Sequence, residues 1–250
     1  APYENIDNTS TDNTLDTLDV SATNQATLAK IYRGGLTTAA GQDVAGNTYF
    51  NHCSKISVKN CDGPIYIRNF FVDGETIRKY AIEVLNSDVL LENCAGVRAQ
   101  EAGFKFNNSK VTLSRSAAAY RNYKIGNPLT TRVAETGYGF HAVNSEILVS
   151  SLPTATNTTQ VGDTGASAVD CNIIASRNYA GFVLDNSKLT GGIQRLLPTD
   201  PLRGSIIGSE LNTGYGFLLN NSEMNIKGLL DVYGDDKGIQ ADGSKVTFES

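Results

Sequence analysis

The dominant feature of the chain is an eleven-residue pattern of apolar and polar positions that recurs six times. The copies read AIEVLNSDVLL (81–91), GFKFNNSKVTL (103–113), GFHAVNSEILV (139–149), GFVLDNSKLTG (181–191), GFLLNNSEMNI (216–226) and GIQADGSKVTF (238–248). Apolar residues alternate at period two on both sides of an Asn-Ser pair, which predicts two short strands joined by a corner. A fixed motif that recurs along a chain is the signature of a solenoid.

The corner itself is the most regular part of the motif. Its second residue is Ser in all six copies, and its first is Asn in five. Asn tolerates a left-handed backbone at a bend, and its amide can hydrogen-bond to the same amide one layer away. We therefore predict a structural ladder of stacked amides. Its members are Asn86, Asn108, Asn144, Asn186 and Asn221.

The spacing of the copies predicts the fold class. Motif starts are separated by 22, 36, 42, 35 and 22 residues, so the basic coil has 22 residues and three coils carry insertions. We predict an all-β protein, a right-handed parallel β-helix with coils of about 22 residues and loop insertions at turns. Residues 49–250 form this domain, and we expect them to belong to a longer chain. Residues 1–48 are a polar segment that caps the first layer, with a linker-like start at 1–20 as the alternative.

Composition and charge narrow the classes of partner. The net charge of −5 provides no basic field, so neither nucleic acid nor an anionic membrane surface is expected to bind. The longest apolar runs are too short to span a bilayer, so we predict no membrane insertion. The four cysteines form no CxxC pair and the two histidines lie far apart, so we predict no metal site and no cofactor. Cys94 and Cys171 are expected to be buried thiols, and a disulfide remains the alternative.

The stacked coils, the Asn corner and the insertions at turns resemble the pectate-lyase-like right-handed parallel β-helix superfamily. This superfamily includes polysaccharide lyases and hydrolases as well as phage tailspike and tail-fibre proteins. The resemblance covers about residues 50–250, and the Trp-free, Asn- and Ser-rich repeats look most like a piece of a phage virion protein. Lyases of this fold carry a calcium-binding cluster of acids on one strand face. The outward motif positions show no such cluster and hold Glu83, Lys105, His141, Val183, Leu218 and Gln240.

Candidate binding residues come from two local similarities. The insertions that begin at Leu152-Pro153-Thr154 and Leu197-Pro198-Thr199 carry charged side chains that could line a groove for a glycan. Arg121-Asn122-Tyr123 matches Arg177-Asn178-Tyr179, and stacked Tyr and Arg could hold a sugar ring. Solvated surface loops and an outer ladder that stabilises a turn are the respective alternatives. The binding candidates are therefore Tyr123, Tyr179, Arg121, Arg177, Arg195 and Arg203.

Catalysis has weaker support in the sequence. His141 is the one histidine on a motif strand and could act as a general base beside an acid. Asp163 and Asp170 could form a carboxylate pair for glycan hydrolysis if their carboxyl groups lay about 5–10 Å apart. Solvated or packed side chains are the alternative for all three, and the residues favour a protein without catalytic activity.

The sequence and the resemblance together predict a structural and host-recognition component of a phage virion, of the tail fibre, spike or baseplate type. The expected location is the virion, and the expected partners are further copies of the chain, other virion proteins and a bacterial surface polysaccharide. The outward residues Val183 and Leu218 are apolar, so we expect them to be buried by either a trimer contact or the chain's own insertions. A polysaccharide lyase or glycoside hydrolase of the same fold is the alternative function. A secreted, extracellular adhesin is the second alternative.

Overall fold

The computed structural model describes residues 17–21, 51–53, 55–61, 65–74, 78–120, 122, 137–150, 172–191, 206–210, 212–227, 229–233 and 235–249. This part of the chain is all-β and contains no helix. Its strands are β1 (Thr17–Ser21), β2 (Asn51–Cys53), β3 (Lys55–Lys59), β4 (Ile65–Asp73), β5 (Tyr80–Leu85), β6 (Asp88–Val97), β7 (Ala102–Asn107), β8 (Lys110–Tyr120), β9 (Tyr138–Val143), β10 (Glu146–Ser150), β11 (Asn172–Ser176), β12 (Ala180–Asp185), β13 (Lys188–Gly191), β14 (Ile206–Glu210), β15 (Tyr215–Asn220), β16 (Glu223–Lys227), β17 (Leu229–Tyr233), β18 (Lys237–Asp242) and β19 (Lys245–Glu249).

All strand pairs in the described part are parallel and form two curled sheets, an arrangement consistent with a β-solenoid. The first sheet has the order β1-β3-β5-β7-β9-β12-β15-β18. The second has the order β17-β14-β11-β8-β10-β13-β16-β19, and β6, β4 and β2 extend it from β8. Each motif contributes its first strand to the first sheet and its second strand to the second sheet. β1 lies in the segment that was expected to cap the first layer, where it pairs with β3 and so extends the first sheet.

The second sheet contains a run of strand that the motif did not predict. β8 pairs with β10 through its first half and with β11 through its second half. The neighbouring strand β6 changes register against β8 between Glu92 and Cys94, which marks the bend. The residues after the bend are mostly small, and Cys94 is buried there as predicted. Where β6 and β8 are described, a coil therefore has three strand runs instead of two.

The inward positions of the motif form the core, as the alternation predicted. Phe104, Phe140, Phe182 and Phe217 occupy the same inward position in successive layers, and each is at most 1% exposed. Their rings stack with centroid separations of 4.5, 4.8 and 4.7 Å, close to the spacing of parallel strands. Phe140 and Phe182 thus each contact one ring above and one below, and this continuous stack fixes the inward register of the first sheet.

Serine forms the continuous ladder at the corner. The Ser87 backbone N–H donates to Ser109 Oγ (3.3 Å), and the same bond joins Ser109 to Ser145 (3.1 Å) and Ser145 to Ser187 (3.0 Å). It continues from Ser187 to Ser222 (3.0 Å) and from Ser222 to Ser244 (2.9 Å). Each hydroxyl also donates to the carbonyl oxygen two residues earlier, as Ser145 Oγ does to Val143 O (2.8 Å). Every hydroxyl from Ser109 to Ser244 therefore bonds both to its own corner and to the previous layer.

The five asparagines of the predicted ladder contribute to the corner through their backbone conformation. All five asparagines have φ between 47° and 48°, in the left-handed region, and their side chains are exposed. Among the described residues, the one amide-to-amide bond in this column joins Asn86 Nδ2 to Asn60 Oδ1 (2.8 Å). The ladder that the sequence assigned to the amides runs instead through the neighbouring serines, because the serine side chain points into the corner and the asparagine side chain points out.

A second ladder, buried at all but its last member, consists of side-chain oxygens that accept backbone N–H groups. Asn122 Oδ1 accepts from Ala99 N (2.9 Å), and Asn178 Oδ1 accepts from Asn122 N (3.2 Å). Asn212 Oδ1 then accepts from Asn178 N (2.7 Å), and Asp235 Oδ1 accepts from Asn212 N (2.7 Å). The three asparagines are at most 2% exposed. This ladder pins the corner that leads into the first sheet.

The last described layer is open on one side. Ile239 is 38% exposed and Phe248 is 58% exposed, whereas Phe217 and Ile226 in the layer below are at most 1% exposed. No described residue covers the apolar side chains of this layer. In the described part of the chain, no helix is present that could cross a membrane.

Candidate functional site

The outward face of the first sheet brings together side chains from three successive strands. Lys105 of β7 lies directly opposite His141 of β9. His141 lies opposite Val183 of β12, and Asp185 is two residues further along the same strand. Residues two apart on a strand share a face, so Asp185 lies diagonally across from His141 on the outward side.

These three side chains and Asn220 form one hydrogen-bonded row, here called the Lys-His-Asp row. Lys105 Nζ is 3.1 Å from His141 Nδ1, and His141 Nε2 is 2.9 Å from Asp185 Oδ2. The other carboxylate oxygen, Asp185 Oδ1, accepts from Asn220 Nδ2 at 2.7 Å. The row therefore crosses four layers of the stack at right angles to the strands.

The protonation states in the row follow from these partners and from burial. Desolvation lowers the pKa of Lys105 to about 8, against a usual value of 10.5. Desolvation and the nearby Lys105 charge lower the pKa of His141, so the imidazole is neutral at pH 7. Burial alone would raise the pKa of Asp185, but its hydrogen bonds from Asn220 and His141 outweigh that effect and lower it. Lys105 thus donates to Nδ1, and the Nε2–H of neutral His141 donates to Asp185.

Three tyrosines border the row. The Tyr138 ring meets the His141 ring edge to face with centroids 5.1 Å apart. Tyr179 lies between Tyr138 and Tyr215, with centroid separations of 6.5 and 5.9 Å. Tyr179 is 37% exposed, while the other two are half-buried. The cluster offers aromatic surface beside a row of hydrogen-bonding groups.

Lys105 differs from the lysines around it because it has no carboxylate partner. Lys55 and Lys59 both pair with Glu83, at 3.1 and 3.3 Å. Lys79 pairs with Glu101 at 3.2 Å. No described carboxylate lies within 4.0 Å of Lys105 Nζ, which uses one of its three hydrogens on His141. The remaining hydrogens can bond to a ligand.

The row is better arranged for binding than for proton abstraction. A general base needs a free lone pair, and both ring nitrogens of His141 are already engaged. Lys105, Asp185 and Asn220 instead present donors and acceptors next to aromatic surface, the combination that suits a polyhydroxylated ligand. Catalysis by His141 would first require Lys105 to move away from Nδ1.

Two of the predicted binding residues and one predicted catalytic residue lie in the described part of the chain. His141 is the centre of the row, and Tyr179 is the centre of the tyrosine cluster. Arg177 is exposed at the corner before Tyr179, with φ of 55°. The other candidates lie outside the described residues, so the predicted groove between the insertions is not seen. They are Arg121, Tyr123, Asp163, Asp170, Arg195 and Arg203.

The outward apolar residues Val183 and Leu218 are largely buried within the single chain. Val183 is 3% exposed and Leu218 is half-buried. Val183 therefore offers almost no apolar surface to a partner chain, which weakens the argument for a trimer contact at this position.

Asp185, Asn220 and Tyr138 belong to the site but were not among the sequence candidates. The motif alignment contained a signal for the lysine, since it placed Lys105 and His141 in one outward column. Asp185 was in the next outward column, two residues along the strand, and its contact with His141 depends on side-chain direction. The Tyr138 column alternates between aromatic and small residues, Tyr80, Ala102, Tyr138, Ala180 and Tyr215, which gives no continuous pattern.

The described residues contain no group of His, Cys, Asp or Glu side chains that could hold a metal ion. No protein-family model, no curated protein and no solved structure matches the chain. The functional argument consequently depends on the site alone.

Proposed function

We propose that the protein is a right-handed parallel β-helix with coils of about 22 residues that serves as a structural and host-recognition component of a phage virion. The observation that carries the proposal is the outward face of the first sheet, where the Lys-His-Asp row and three tyrosines sit on a frame bonded layer by layer. Stacked phenylalanines and two ladders make this frame stiff along its length. A stiff frame that displays a polar, aromatic face suits a particle that must hold a receptor at a distance.

The proposed ligand is a bacterial surface polysaccharide. Sugar rings present an apolar face that packs on tyrosine, and their hydroxyls pair with carboxylate, amide and ammonium groups. Tyr179 provides the exposed ring, and Lys105, Asp185 and Asn220 provide the polar groups. The location that follows is the virion, with further copies of the chain and other virion proteins as partners. A secreted adhesin would use the same face.

A polysaccharide-cleaving enzyme is the second candidate, favoured by the position of His141 between Lys105 and Asp185. In that case a bound substrate would draw Lys105 away, and the released Nδ1 would take a proton. Asp185 would hold the ring and stabilise the resulting cation, as a carboxylate beside a catalytic imidazole does.

One experiment separates these candidates. The protein is incubated with a panel of bacterial surface polysaccharides, and both retention and the chain length of the glycan are measured. Under the leading proposal one polysaccharide binds and keeps its length, and Tyr179→Ala weakens binding about tenfold, equivalent to about 1.4 kcal/mol. Tyr233→Ala is the matched control because Tyr233 is 67% exposed and lies on β17, in the other sheet. Shortened glycans that disappear with His141→Gln would replace the leading proposal with the enzyme, and no retention by any member would refute glycan recognition at this face.

A further inference from the structure

A straight stripe of charged side chains follows the exposed edge of the Asn-Ser corner. It consists of the first residue of each second-sheet motif strand, in the order Asp88, Lys110, Glu146, Lys188, Glu223 and Lys245. Each is directly opposite the next in the register of the sheet, so the sign of the charge alternates at every layer. With a layer spacing of about 4.8 Å, the stripe is about 24 Å long.

The charges in this stripe are mostly available. Glu223 is half-buried and the other five side chains are exposed. Within the stripe, the one ion pair that the described residues show joins Lys188 and Glu223, at 3.6 Å. The stripe runs along a shallow groove of about 790 Å³, whose other wall is the exposed Asn column, including Asn144 and Asn186. Unpaired charges beside free amides form a polar surface that can accept a partner of matching pattern.

The order of the charges makes the stripe complementary to itself when it is reversed. Read in one direction the signs are minus, plus, minus, plus, minus, plus, and read in the other direction every sign is opposite. In an antiparallel pair, residue 88 faces 245, residue 110 faces 223, and residue 146 faces 188. All six facing positions then carry opposite charges, and the contact closes about a two-fold axis between layers 146 and 188.

We propose that this stripe joins two copies of the chain in an antiparallel, two-fold dimer. The alternating signs favour an antiparallel second copy as the partner, because a parallel copy in the same register would set like charges against each other at every layer. The contact is narrow and polar, so the dimer is weak and dissociates when salt screens the charges. It does not depend on the proposed glycan face, which lies on the other side of the corner.

The test uses the whole chain and single charge reversals. Glu146→Lys places two lysines opposite each other in the dimer, and Lys188→Glu places two glutamates opposite each other. Each variant alone should dimerise at least about tenfold more weakly than the original chain in sedimentation experiments. A mixture of the two variants should restore a one-to-one heterodimer, because 146 of one then meets 188 of the other with opposite charge in both contacts.

Further mixtures test the antiparallel orientation of the dimer, and the salt dependence tests whether charge attraction holds it together. Mixing Glu146→Lys with Lys110→Glu should give no heterodimer, because an antiparallel pair sets the lysine introduced at position 146 against Lys188 of the other chain. A heterodimer in this mixture would indicate a parallel pair offset by one layer and would overturn the proposal. Lys110→Glu mixed with Glu223→Lys repeats the rescue at independent positions. The original chain should dimerise at about 0.01 M ionic strength, where the Debye length is about 30 Å, and separate at about 1 M, where it is about 3 Å. A chain that stays monomeric at low salt, or a matched mixture that fails to associate, refutes the dimer whatever the outcome of glycan binding.

Discussion

Replacing Ser145 by alanine removes one step of the serine ladder without changing the backbone of the corner. Ser145 is 6% exposed, and its Oγ accepts the Ser109 N–H and donates to Val143 O. After the replacement Val143 O still accepts from Asn108 N at 3.0 Å. The buried N–H of Ser109 loses its acceptor, and an unsatisfied buried polar group costs about 1–3 kcal/mol. We therefore expect Ser145→Ala to lower the free energy of unfolding by about 2 kcal/mol.

Thermal melts followed by circular dichroism measure this loss. In a chain of 250 residues, 1 kcal/mol shifts the melting temperature by about 2–4 °C, so Ser145→Ala should melt about 4–8 °C lower. Asn144→Gly is the matched control, because the neighbouring side chain is exposed and glycine readily adopts its φ of 47°. It should melt within about 2 °C of the original chain. An unchanged melt for Ser145→Ala, or an equal loss in Asn144→Gly, would refute the serine ladder as the source of stability at the corner.

Three further predictions concern single positions. Asp235→Asn should raise the denaturant midpoint, by about 1 kcal/mol in unfolding free energy, because the buried Asp235 Oδ2 has no hydrogen-bond partner and a neutral amide costs less to bury than a carboxylate; a lower midpoint would contradict this reasoning. Gly139→Ala should destabilise the stack by about 1–3 kcal/mol, since a Cβ there would lie 2.5 Å from Gly181 O, whereas Gly208→Ala, with its nearest neighbour at 3.5 Å, should be tolerated. Between its pKa of about 8 in the folded chain and the usual 10.5, Lys105 binds fewer protons when folded than when unfolded, so its contribution to stability should rise with pH across that window. The denaturant midpoint of the original chain minus that of Lys105→Met should therefore increase from pH 8 to pH 10.5.

The inward face of the stack could be predicted from sequence because one physical signal determines it. Period-two alternation allows only one register that buries the apolar residues, and a shift by one residue would expose all of them. Phe182 points inward in this register and is 1% exposed. The run after the bend in β6 and β8 carries no Asn-Ser pair and consists mostly of small residues, so nothing in its pattern separated it from a loop.

The two ladders were harder to predict from the sequence, for a different reason. Both columns of the Asn-Ser corner were visible in the sequence, but which side chain points inward depends on the left-handed backbone at the first residue. That backbone turns the Asn144 amide to solvent and the Ser145 hydroxyl into the corner. The match between Arg121-Asn122-Tyr123 and Arg177-Asn178-Tyr179 was also found, yet its middle residue is the buried one. Asn178 bonds to adjacent layers on both sides, and the flanking Arg177 and Tyr179 are exposed.

The function of His141 depends on a feature that no alignment of motifs contains, which is the use of its two ring nitrogens. The sequence placed Lys105 beside it, and the structure adds that Lys105 occupies Nδ1 while Asp185 holds Nε2. Lys105→Met therefore has opposite consequences for the two candidate functions. If Lys105 is a ligand donor, the variant loses glycan retention by about tenfold and gains no activity. If His141 is a base that Lys105 holds inactive, the same variant frees Nδ1. Cleavage then requires only a pH above the His141 pKa, so shortened glycans should appear at neutral pH without loss of rate. Retention and cleavage that both remain unchanged in Lys105→Met would exclude Lys105 from either function.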